Sequence, residues 1–187
     1  MENICKAVLE VKVKRLVYMS TCDVFGTREN VIMDESFPLE KWGEPYADSK
    51  IEAEKIAWSY YKNHDLPISM VYGCWIYGKR DFTFTSELAD AIVKKDLIFW
   101  RKKVHVWPSY IDNLIDFLLV ISHDDRAIGQ GYLVHDDEMV TLQEFCQTIA
   151  DTLDMPYKER YIPYWLAKTL AWIMEKGSRL FKRKKRP

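Results

Sequence analysis

Residues 15–20 read RLVYMS and residues 67–72 read PISMVY, and these two stretches decide the fold. Both are largely apolar without alternation, which is typical of strands buried on both faces of a parallel sheet. Between them, Pro45 begins a predicted helix that reaches about Asn63, with proline in the first turn, where helices tolerate it. A strand, a helix and a strand in this order predict two parallel strands joined by a crossover. We therefore predict an α/β fold in which the two runs are neighbours in one sheet.

The rest of the chain extends this pattern and then changes rhythm. Residues 2–12 have apolar side chains at helical spacing and precede the first strand. Further along, Thr141 and Glu144 have the spacing of a capping box. We predict a first region over residues 1–80 and a second, α+β region over residues 81–187. The elements predicted in the second region are a helix over 84–95, a hairpin over 97–107, a helix over 112–122, a strand over 131–134, a helix over 142–152 and a long helix after Pro163.

Composition excludes several classes of protein. The 187 residues are 48% hydrophobic, which is enough for a sizeable core, and the charges nearly cancel to −1. That balance excludes a nucleic-acid-binding or disordered chain. The four cysteines have no C-x-x-C spacing and the four histidines have no metal-ligand spacing. We therefore predict reduced thiols, a cytoplasmic location and no metal site.

A Tyr-x-x-x-Lys motif lies at the start of the long predicted helix, at Tyr46 and Lys50. Side chains four residues apart share one face of a helix. An ammonium beside a phenol favours the phenolate, and such a tyrosine can remove or return the proton of a substrate hydroxyl while a nicotinamide exchanges hydride. Thr21, directly after the first predicted strand, carries a hydroxyl that can hold the substrate oxygen. We predict these three residues as the catalytic set.

A second pair, Tyr164 and Lys168, has the same spacing. The motif is short, so chance matches occur. Only Tyr46 follows a buried strand that ends in hydroxyl residues, inside a strand–helix–strand unit. We therefore predict that Tyr164 begins a helix whose aromatic side chains are buried, and that the pair has no catalytic role.

Four segments resemble, in order, successive parts of the extended short-chain dehydrogenases/reductases. RLVYMSTCDVFG (15–26) resembles the fifth strand and active-site loop of that family, EPYADSKIEAEK (44–55) its Tyr-x-x-x-Lys helix, MVYGCWIYGKRD (70–81) its next strand and turn, and SYIDNLIDFLL (109–119) a helix of its substrate domain. The resemblance covers nearly the whole chain.

The resemblance implies a fold, a cofactor and residue roles. Residues 1–80 are expected to form the C-terminal half of a Rossmann-like domain that binds NAD or NADP, and residues 81–187 a smaller α+β substrate-binding region. In this family the tyrosine is the acid/base, the lysine binds the nicotinamide ribose and the hydroxyl residue orients the substrate. These roles fall on Tyr46, Lys50 and Thr21, and the family's backbone contacts to the nicotinamide end fall on Gly73, Cys74 and Ile76.

The sequence departs from the family's pattern in three places. The turn after the second strand usually reads Arg-Pro or Arg-Tyr in the family, whereas this chain has Tyr72 and Gly73 there. Sugar 4,6-dehydratases carry Asp-Glu after the threonine, whereas this chain has Cys22 and Asp23, which argues against dehydration. No G-x-x-G-x-x-G follows a strand, although that loop normally holds the cofactor pyrophosphate. The family places the loop upstream of Met1, so about 90 residues, three βα units of about 30 each, are expected to be missing.

The predicted function is NAD(P)-dependent interconversion of a hydroxyl and a ketone, inactive without the missing portion. The segment YIPYWLAKTLAWIMEKGSRLF (161–181) resembles the 3β-hydroxysteroid dehydrogenase-like branch, which implies a hydrophobic, hydroxysteroid-like small-molecule substrate. Two alternatives stay open: a nucleotide-sugar epimerase-like enzyme, and a non-catalytic, truncated scaffold.

The C-terminal segment suggests partner surfaces. Residues 182–186 are all basic, and the helix before them is apolar. Peripheral membrane contact through that helix and tail is one alternative, and a homodimer is another. We predict no nucleic-acid partner, because no aromatic stacking platform accompanies the basic residues. The side chains predicted to form a core or docking face are Trp165, Leu166, Leu170 and Trp172.

Overall fold

The computed structural model describes residues 1–26, 34–100, 103–170 and 172–173. The elements alternate between helix and strand along the first 81 residues and become shorter afterwards. In chain order they are α1 (Glu2–Glu10), β1 (Leu16–Thr21), a 3₁₀ turn (Cys22–Phe25), α2 (Pro45–His64), β2 (Ile68–Gly73), β3 (Trp75–Tyr77), α3 (Phe84–Val93), β4 (His105–Val106), β5 (Pro108–Tyr110), α4 (Ile111–His123), a 3₁₀ turn (Asp125–Ala127), β6 (Gly131–Val134), β7 (Val140–Thr141) and α5 (Leu142–Thr152).

A three-stranded parallel sheet forms the centre of the first part of the chain, in the order β1-β2-β6. The register of β1 against β2 runs from Leu16 opposite Ile68 to Thr21 opposite Gly73. The prediction that these two apolar runs are parallel neighbours is confirmed. The α/β fold class is confirmed with it.

Helices cover both faces of this sheet, and every residue of the central strand β2 is therefore buried. Met70 points to one face, where it packs with α1 and α2, and Val71 points to the other, where it packs with α4. Alternation along a strand sends successive side chains to opposite faces. The first face buries Cys5, Val8, Val24, Phe25, Ile51, Ala57, Leu66, Ile68, Met70 and Tyr72, and the second buries Val71, Leu114, Ile121 and Ala127.

Local capping sets the bounds of α2, the helix that carries the Tyr-x-x-x-Lys motif. The Glu44 carboxylate accepts a hydrogen bond of 2.6 Å from the Ala47 amide, and Pro45 occupies the first turn. Asp65 then ends the helix in the left-handed conformation, with φ of 53°. An aspartate tolerates this conformation better than most residues do. The helix therefore begins just before Tyr46, with its first turn fixed.

Two short strands that the sequence reasoning missed, β3 and β5, pair in parallel next to the main sheet. Asp136, which follows β6, joins them to α4. Its carboxylate accepts hydrogen bonds from the Tyr77 hydroxyl (3.2 Å), the Tyr110 amide (3.0 Å) and the Asn113 side chain (2.9 Å). Asp136 therefore has a structural role in this part of the molecule.

The chain divides into two compact units. The first holds residues 1–81 and 107–139, and the second holds residues 82–106 and those from 140 onward. The first unit is thus discontinuous in sequence, because β6 returns to the sheet. That residues 81–187 bind substrate remains a prediction.

The second unit is built around α3 and α5. The capping box predicted at Thr141 and Glu144 is confirmed, since each side chain bonds the other's backbone. The core of this unit contains Ile92, Phe99, Cys146 and Ala150.

The predicted hairpin over 97–107 is wrong. Among the described residues of that stretch, Phe99 bridges Tyr161, and β4 pairs with β7 in antiparallel orientation. A tight hairpin needs residues that accept positive φ, and residues 97–107 contain no glycine, asparagine or aspartate. Phe99 and β4 pair instead with Tyr161 and β7, which lie far away in the sequence.

The C-terminal segment is helical over residues 164–170. The predicted burial of its aromatic side chains is wrong, because Tyr164 is 59% exposed and Trp165 is 67% exposed. The basic residues 182–186 lie outside the described part of the chain. No helix among the described residues is long and apolar enough to cross a membrane.

The burial of β2 leads to a stability prediction. Met70 is fully buried, so Met70→Ala should lower the free energy of unfolding by about 2–5 kcal/mol, the usual cost of such a truncation in a packed core. Urea denaturation followed by circular dichroism measures this. Val120→Ala is the control, since Val120 is 63% exposed and its truncation should change stability by about 0.5 kcal/mol or less. Equal losses in both variants would contradict the placement of β2 at the centre of the core.

Candidate active site

The carboxyl ends of β1 and β2 meet at one edge of the sheet, where Thr21 lies opposite Gly73. In open α/β sheets, ligands bind in the crevice outside the carboxyl ends of the strands. The first turns of α2 pass near this edge, because Lys50 reaches the backbone of β1. The candidate site is therefore the group of side chains that follow these two strands and begin α2.

Lys50 is fixed beside Tyr46 by contacts to β1. Its Nζ donates a hydrogen bond of 3.2 Å to the Met19 carbonyl oxygen. The same atom lies 5.7 Å from the centre of the Tyr46 ring and 5.4 Å from that of Tyr18. Both distances are within the range of cation–π attraction. Tyr46 itself is 52% exposed, so a positive charge is held next to a phenol that solvent and small molecules can reach.

Thr21 is buried at the end of β1, and Asp23 already engages its hydroxyl. The hydroxyl donates a hydrogen bond of 3.0 Å to the Asp23 carboxylate and accepts one of 3.3 Å from the Asp23 amide. A hydroxyl has two acceptor lone pairs, so one remains for another donor. Because Thr21 gives its single hydroxyl proton to Asp23, it can donate to a substrate oxygen only when that hydrogen bond is exchanged. The sequence reasoning missed Asp23 as this partner; an Asp two residues after a Thr is the available signal.

Glu54 is a second residue that the sequence reasoning missed. It lies one turn beyond Lys50 on α2 and is fully buried. Its Oε1 accepts a hydrogen bond from the Ser20 hydroxyl, whereas its Oε2 has no well-aligned partner. Burial raises the pKa of this carboxyl, although the hydrogen bond from Ser20, the nearby Tyr72 hydroxyl and the charge of Lys50 act in the opposite direction. The i, i+4, i+8 spacing of Tyr46, Lys50 and Glu54 is the signal that could have revealed it.

Three residues are expected to contact a nicotinamide through their backbone. Gly73 ends β2, Cys74 follows it, and Ile76 lies in β3. The Cys74 amide already donates a hydrogen bond of 3.3 Å to the Val134 carbonyl oxygen. Ile76 pairs with Ser109 in the β3–β5 ladder, and its side chain is 38% exposed. The Cys74 amide is thus committed to the sheet and is not a free donor for a ligand.

Among the described residues, no group of three or more histidine, cysteine, aspartate or glutamate side chains could hold a metal ion. All four cysteines are free.

A parallel sheet covered by helices on both faces, with a Tyr–Lys pair near its carboxyl edge, defines an α/β protein of the Rossmann type. The chain belongs to the NAD dependent epimerase/dehydratase family, whose model matches residues 1–126. The resemblance stated from the sequence is confirmed.

Curated relatives from several branches match the chain. It is 25% identical over 187 residues to a 3 beta-hydroxysteroid dehydrogenase/Delta 5-->4-isomerase of Mycobacterium tuberculosis, covering 96% of this chain and 50% of the relative. It is 26% identical over 183 residues to a UDP-glucose 4-epimerase of Vibrio cholerae, covering 94% and 54%. The chain therefore spans about half the length of these relatives.

Solved structures support the fold. A UDP-glucuronic acid 4-epimerase from Bacillus cereus in complex with NAD superposes with a TM-score of 0.75 at 17% identity, covering 87% of this chain and 54% of that one. DesIV, a dTDP-glucose 4,6-dehydratase from Streptomyces venezuelae with NAD and TYD bound, gives 0.73 at 19% identity, covering 87% and 51%.

The buried carboxyl gives a pH prediction. Because the folded-state pKa of Glu54 is raised above its ordinary value of 4.5, the folded protein holds this proton more tightly than the unfolded chain does. Its ionisation therefore weakens the fold as pH rises from 4.5 to the folded-state pKa. The side chain of Glu54→Gln cannot ionise, so the stability of this variant should decrease less than that of wild type as pH rises. Thermal unfolding over a series of pH values measures this difference.

Glu52→Gln is the matched control on the same helix. Glu52 is exposed, and its ion pair with Lys41 lowers the pKa of its carboxyl. The ion pair of Glu52 therefore stabilises the fold above the ordinary pKa of this carboxyl and is lost as pH falls. Glu52→Gln should therefore still show the loss of stability with rising pH that Glu54 causes. Parallel pH profiles for wild type and Glu54→Gln would contradict the role given to Glu54.

Proposed function

We propose that this chain supplies the acid/base residues of an NAD(P)-dependent oxidoreductase that interconverts a hydroxyl and a ketone. The observation that carries the proposal is the position of the Lys50 ammonium, bonded to the Met19 carbonyl and next to the exposed Tyr46 ring. Membership of an NAD-dependent family supports the same conclusion.

The residues fit one end of a nicotinamide dinucleotide. Lys50 has three N–H donors and uses one on Met19, so two remain for the hydroxyls of a ribose. Gly73, Cys74 and Ile76 would contact the nicotinamide side of the cofactor. When bound, NAD or NADP supplies the hydride acceptor or donor at this edge.

Tyr46 would transfer the proton in this reaction. Its phenolate removes the proton of the substrate hydroxyl as the alcohol is oxidised, and its phenol returns the proton when the ketone is reduced. The Lys50 ammonium lies 5.7 Å from the centre of the Tyr46 ring. Thr21 would position the substrate by donating a hydrogen bond from its hydroxyl to the substrate oxygen, in place of the one that it donates to Asp23.

Oxidoreduction of a hydrophobic alcohol is the form of this chemistry that we favour. Cys22 follows Thr21 directly, and a thiol there is a poor substitute for the carboxylic acid that a dehydration would need. Among the relatives that span nearly the whole chain is a hydroxysteroid dehydrogenase. A hydroxysteroid-like substrate is therefore our first choice.

A cavity in the second unit favours a nucleotide-sugar epimerase-like enzyme as the second candidate. Its volume is about 310 Å³, and three basic residues, Lys95, Lys158 and Arg160, contribute to its lining beside Leu97 and Tyr157. Basic side chains next to apolar and aromatic surface suit a nucleoside diphosphate. A non-catalytic scaffold is the remaining alternative. Finding a strand and a glycine-rich loop in frame upstream of Met1 would argue against the scaffold.

The catalytic assignment predicts the effect of a single hydroxyl. In a full-length version of the protein, Tyr46→Phe should lower kcat by about 10²–10⁴-fold, the usual contribution of a general acid–base group. With a 3β-hydroxysteroid as substrate, the assay follows NADH or NADPH absorbance at saturating cofactor. With UDP-glucose, it follows formation of the 4-epimer, because epimerisation leaves the cofactor unchanged overall. Tyr164→Phe removes a hydroxyl from the other Tyr–Lys pair and should leave kcat unchanged. Loss of turnover in Tyr164→Phe, with Tyr46→Phe unaffected, would show that the wrong pair was chosen.

The cofactor assignment predicts weak binding by the 187-residue chain alone. The residues assigned to the cofactor reach only its nicotinamide and ribose end, and each charge-assisted hydrogen bond to a pyrophosphate is worth about 1.5–3 kcal/mol. Without two or three of these bonds, affinity should fall by several factors of ten, to weaker than micromolar. Isothermal titration calorimetry with NADH and NADPH measures this, and Lys50→Ala should weaken binding further. Micromolar binding that is insensitive to Lys50→Ala would contradict the assignment.

A further inference from the structure

Two cysteines occupy the positions directly after the paired ends of β1 and β2. Thr21 and Gly73 are register partners, and Cys22 and Cys74 are the residues that follow them, with Cys22 at the start of the 3₁₀ turn. Neighbouring strands lie about 4.7–4.9 Å apart, and disulfides join Cα atoms about 4.4–6.8 Å apart. The register partners Thr21 and Gly73 thus lie within the range of separations that disulfides span, and the two cysteines follow them directly in the chain.

The two thiols interact directly. The hydrogen bond with Cys74 lowers the pKa of the Cys22 thiol, against the opposing effects of burial and of Asp23. The same hydrogen bond, together with burial, raises the pKa of the Cys74 thiol. Cys22 is consequently the member of the pair that forms a thiolate, which is the nucleophilic form of cysteine.

Accessibility separates this pair from the other two cysteines. Cys22 and Cys74 are partly exposed, whereas Cys5 and Cys146 are buried. Cys5 packs in the core of the first unit and Cys146 in that of the second. A small oxidant in solution can therefore reach the pair at the sheet edge before it reaches either core cysteine.

We propose that Cys22 and Cys74 form a reversible dithiol–disulfide site that a peroxide oxidises. The Cys22 thiolate attacks one peroxide oxygen, so that an S–O bond forms, the O–O bond breaks, and the departing hydroxide takes up a proton to give water. Cys22 is then a sulfenic acid, oxidised by two electrons, and the peroxide is reduced. The Cys74 sulfur next attacks the Cys22 sulfur: the S–S bond forms, the S–O bond breaks, and a second water leaves with the Cys74 proton.

The bridge would join the two strand ends that hold Thr21 and Gly73. Oxidation would thus act at the edge of the sheet where the candidate site lies. The chemistry of the pair depends only on the register of β1 and β2 and on the two sulfurs, and it does not require the proposed catalytic roles. The site is therefore testable in the chain itself, without cofactor or substrate.

Non-reducing peptide mapping tests the proposal. The reduced, purified chain is treated with an equimolar amount of hydrogen peroxide, digested with trypsin and analysed by mass spectrometry. Cleavage after Lys41 separates the two cysteines. We expect one linked pair, Cys22–Cys74, lighter than the two separate peptides by two hydrogen atoms and restored by dithiothreitol, with Cys5 and Cys146 still reduced.

Variants divide the reaction into its steps. Cys74→Ser should leave the sulfenic acid on Cys22, where dimedone captures it, whereas in Cys22→Ser the Cys74 thiol should stay reduced at the same dose. Cys146→Ser is the matched control and should form the bridge as wild type does. A Cys22 that is oxidised beyond the sulfenic acid without bridging, a Cys22 that does not react, or a bridge only between two molecules would each overturn the proposal.

Discussion

The parallel pairing of β1 with β2 is the constraint on which the rest of the first unit depends. Because β2 is buried along its whole length, its residues must alternate between two apolar layers, and a slip of one residue would turn every side chain to the wrong face. The register is therefore fixed from Leu16 opposite Ile68 to Thr21 opposite Gly73. The last of these pairs brings the ends of the two strands together, and the candidate site lies just beyond them.

Helix α2 links that edge to the core through a single face. Its first turn presents Tyr46 to solvent, its second turn places Lys50 against β1, and its third turn buries Glu54 beside Ser20. The same helix packs Ile51 and Ala57 on the sheet. The packing of Ile51 and Ala57 on the sheet sets the rotation of α2 about its axis. That rotation in turn determines which way Tyr46 and Lys50 point.

Sequence reasoning found the parts of this structure that local pattern determines. Continuous apolarity identified β1 and β2, and the Pro45 start identified α2. It failed where pairing is between segments far apart in the chain, as for β4 with β7, because such short strands have no periodicity of their own. In the candidate site, the motif predicted Tyr46 and Lys50, and their catalytic roles stay predictions. Asp23 depends on the 3₁₀ turn after β1, and the burial of Glu54 depends on the packing of α2, so neither was evident.

The contacts of Lys50 also determine when its flexibility is lost. A lysine side chain has about 2 kcal/mol of rotamer entropy, and an unrestrained lysine loses it on meeting its ligand. Here the Met19 carbonyl and the rings of Tyr18 and Tyr46 already confine the ammonium. The Lys50 side chain therefore loses this entropy when the protein folds, and the burial of β2 contributes to the free energy that drives folding. A ligand hydroxyl at this edge would therefore bind to a preorganised donor. Its binding free energy would not include the entropic cost of ordering the lysine side chain.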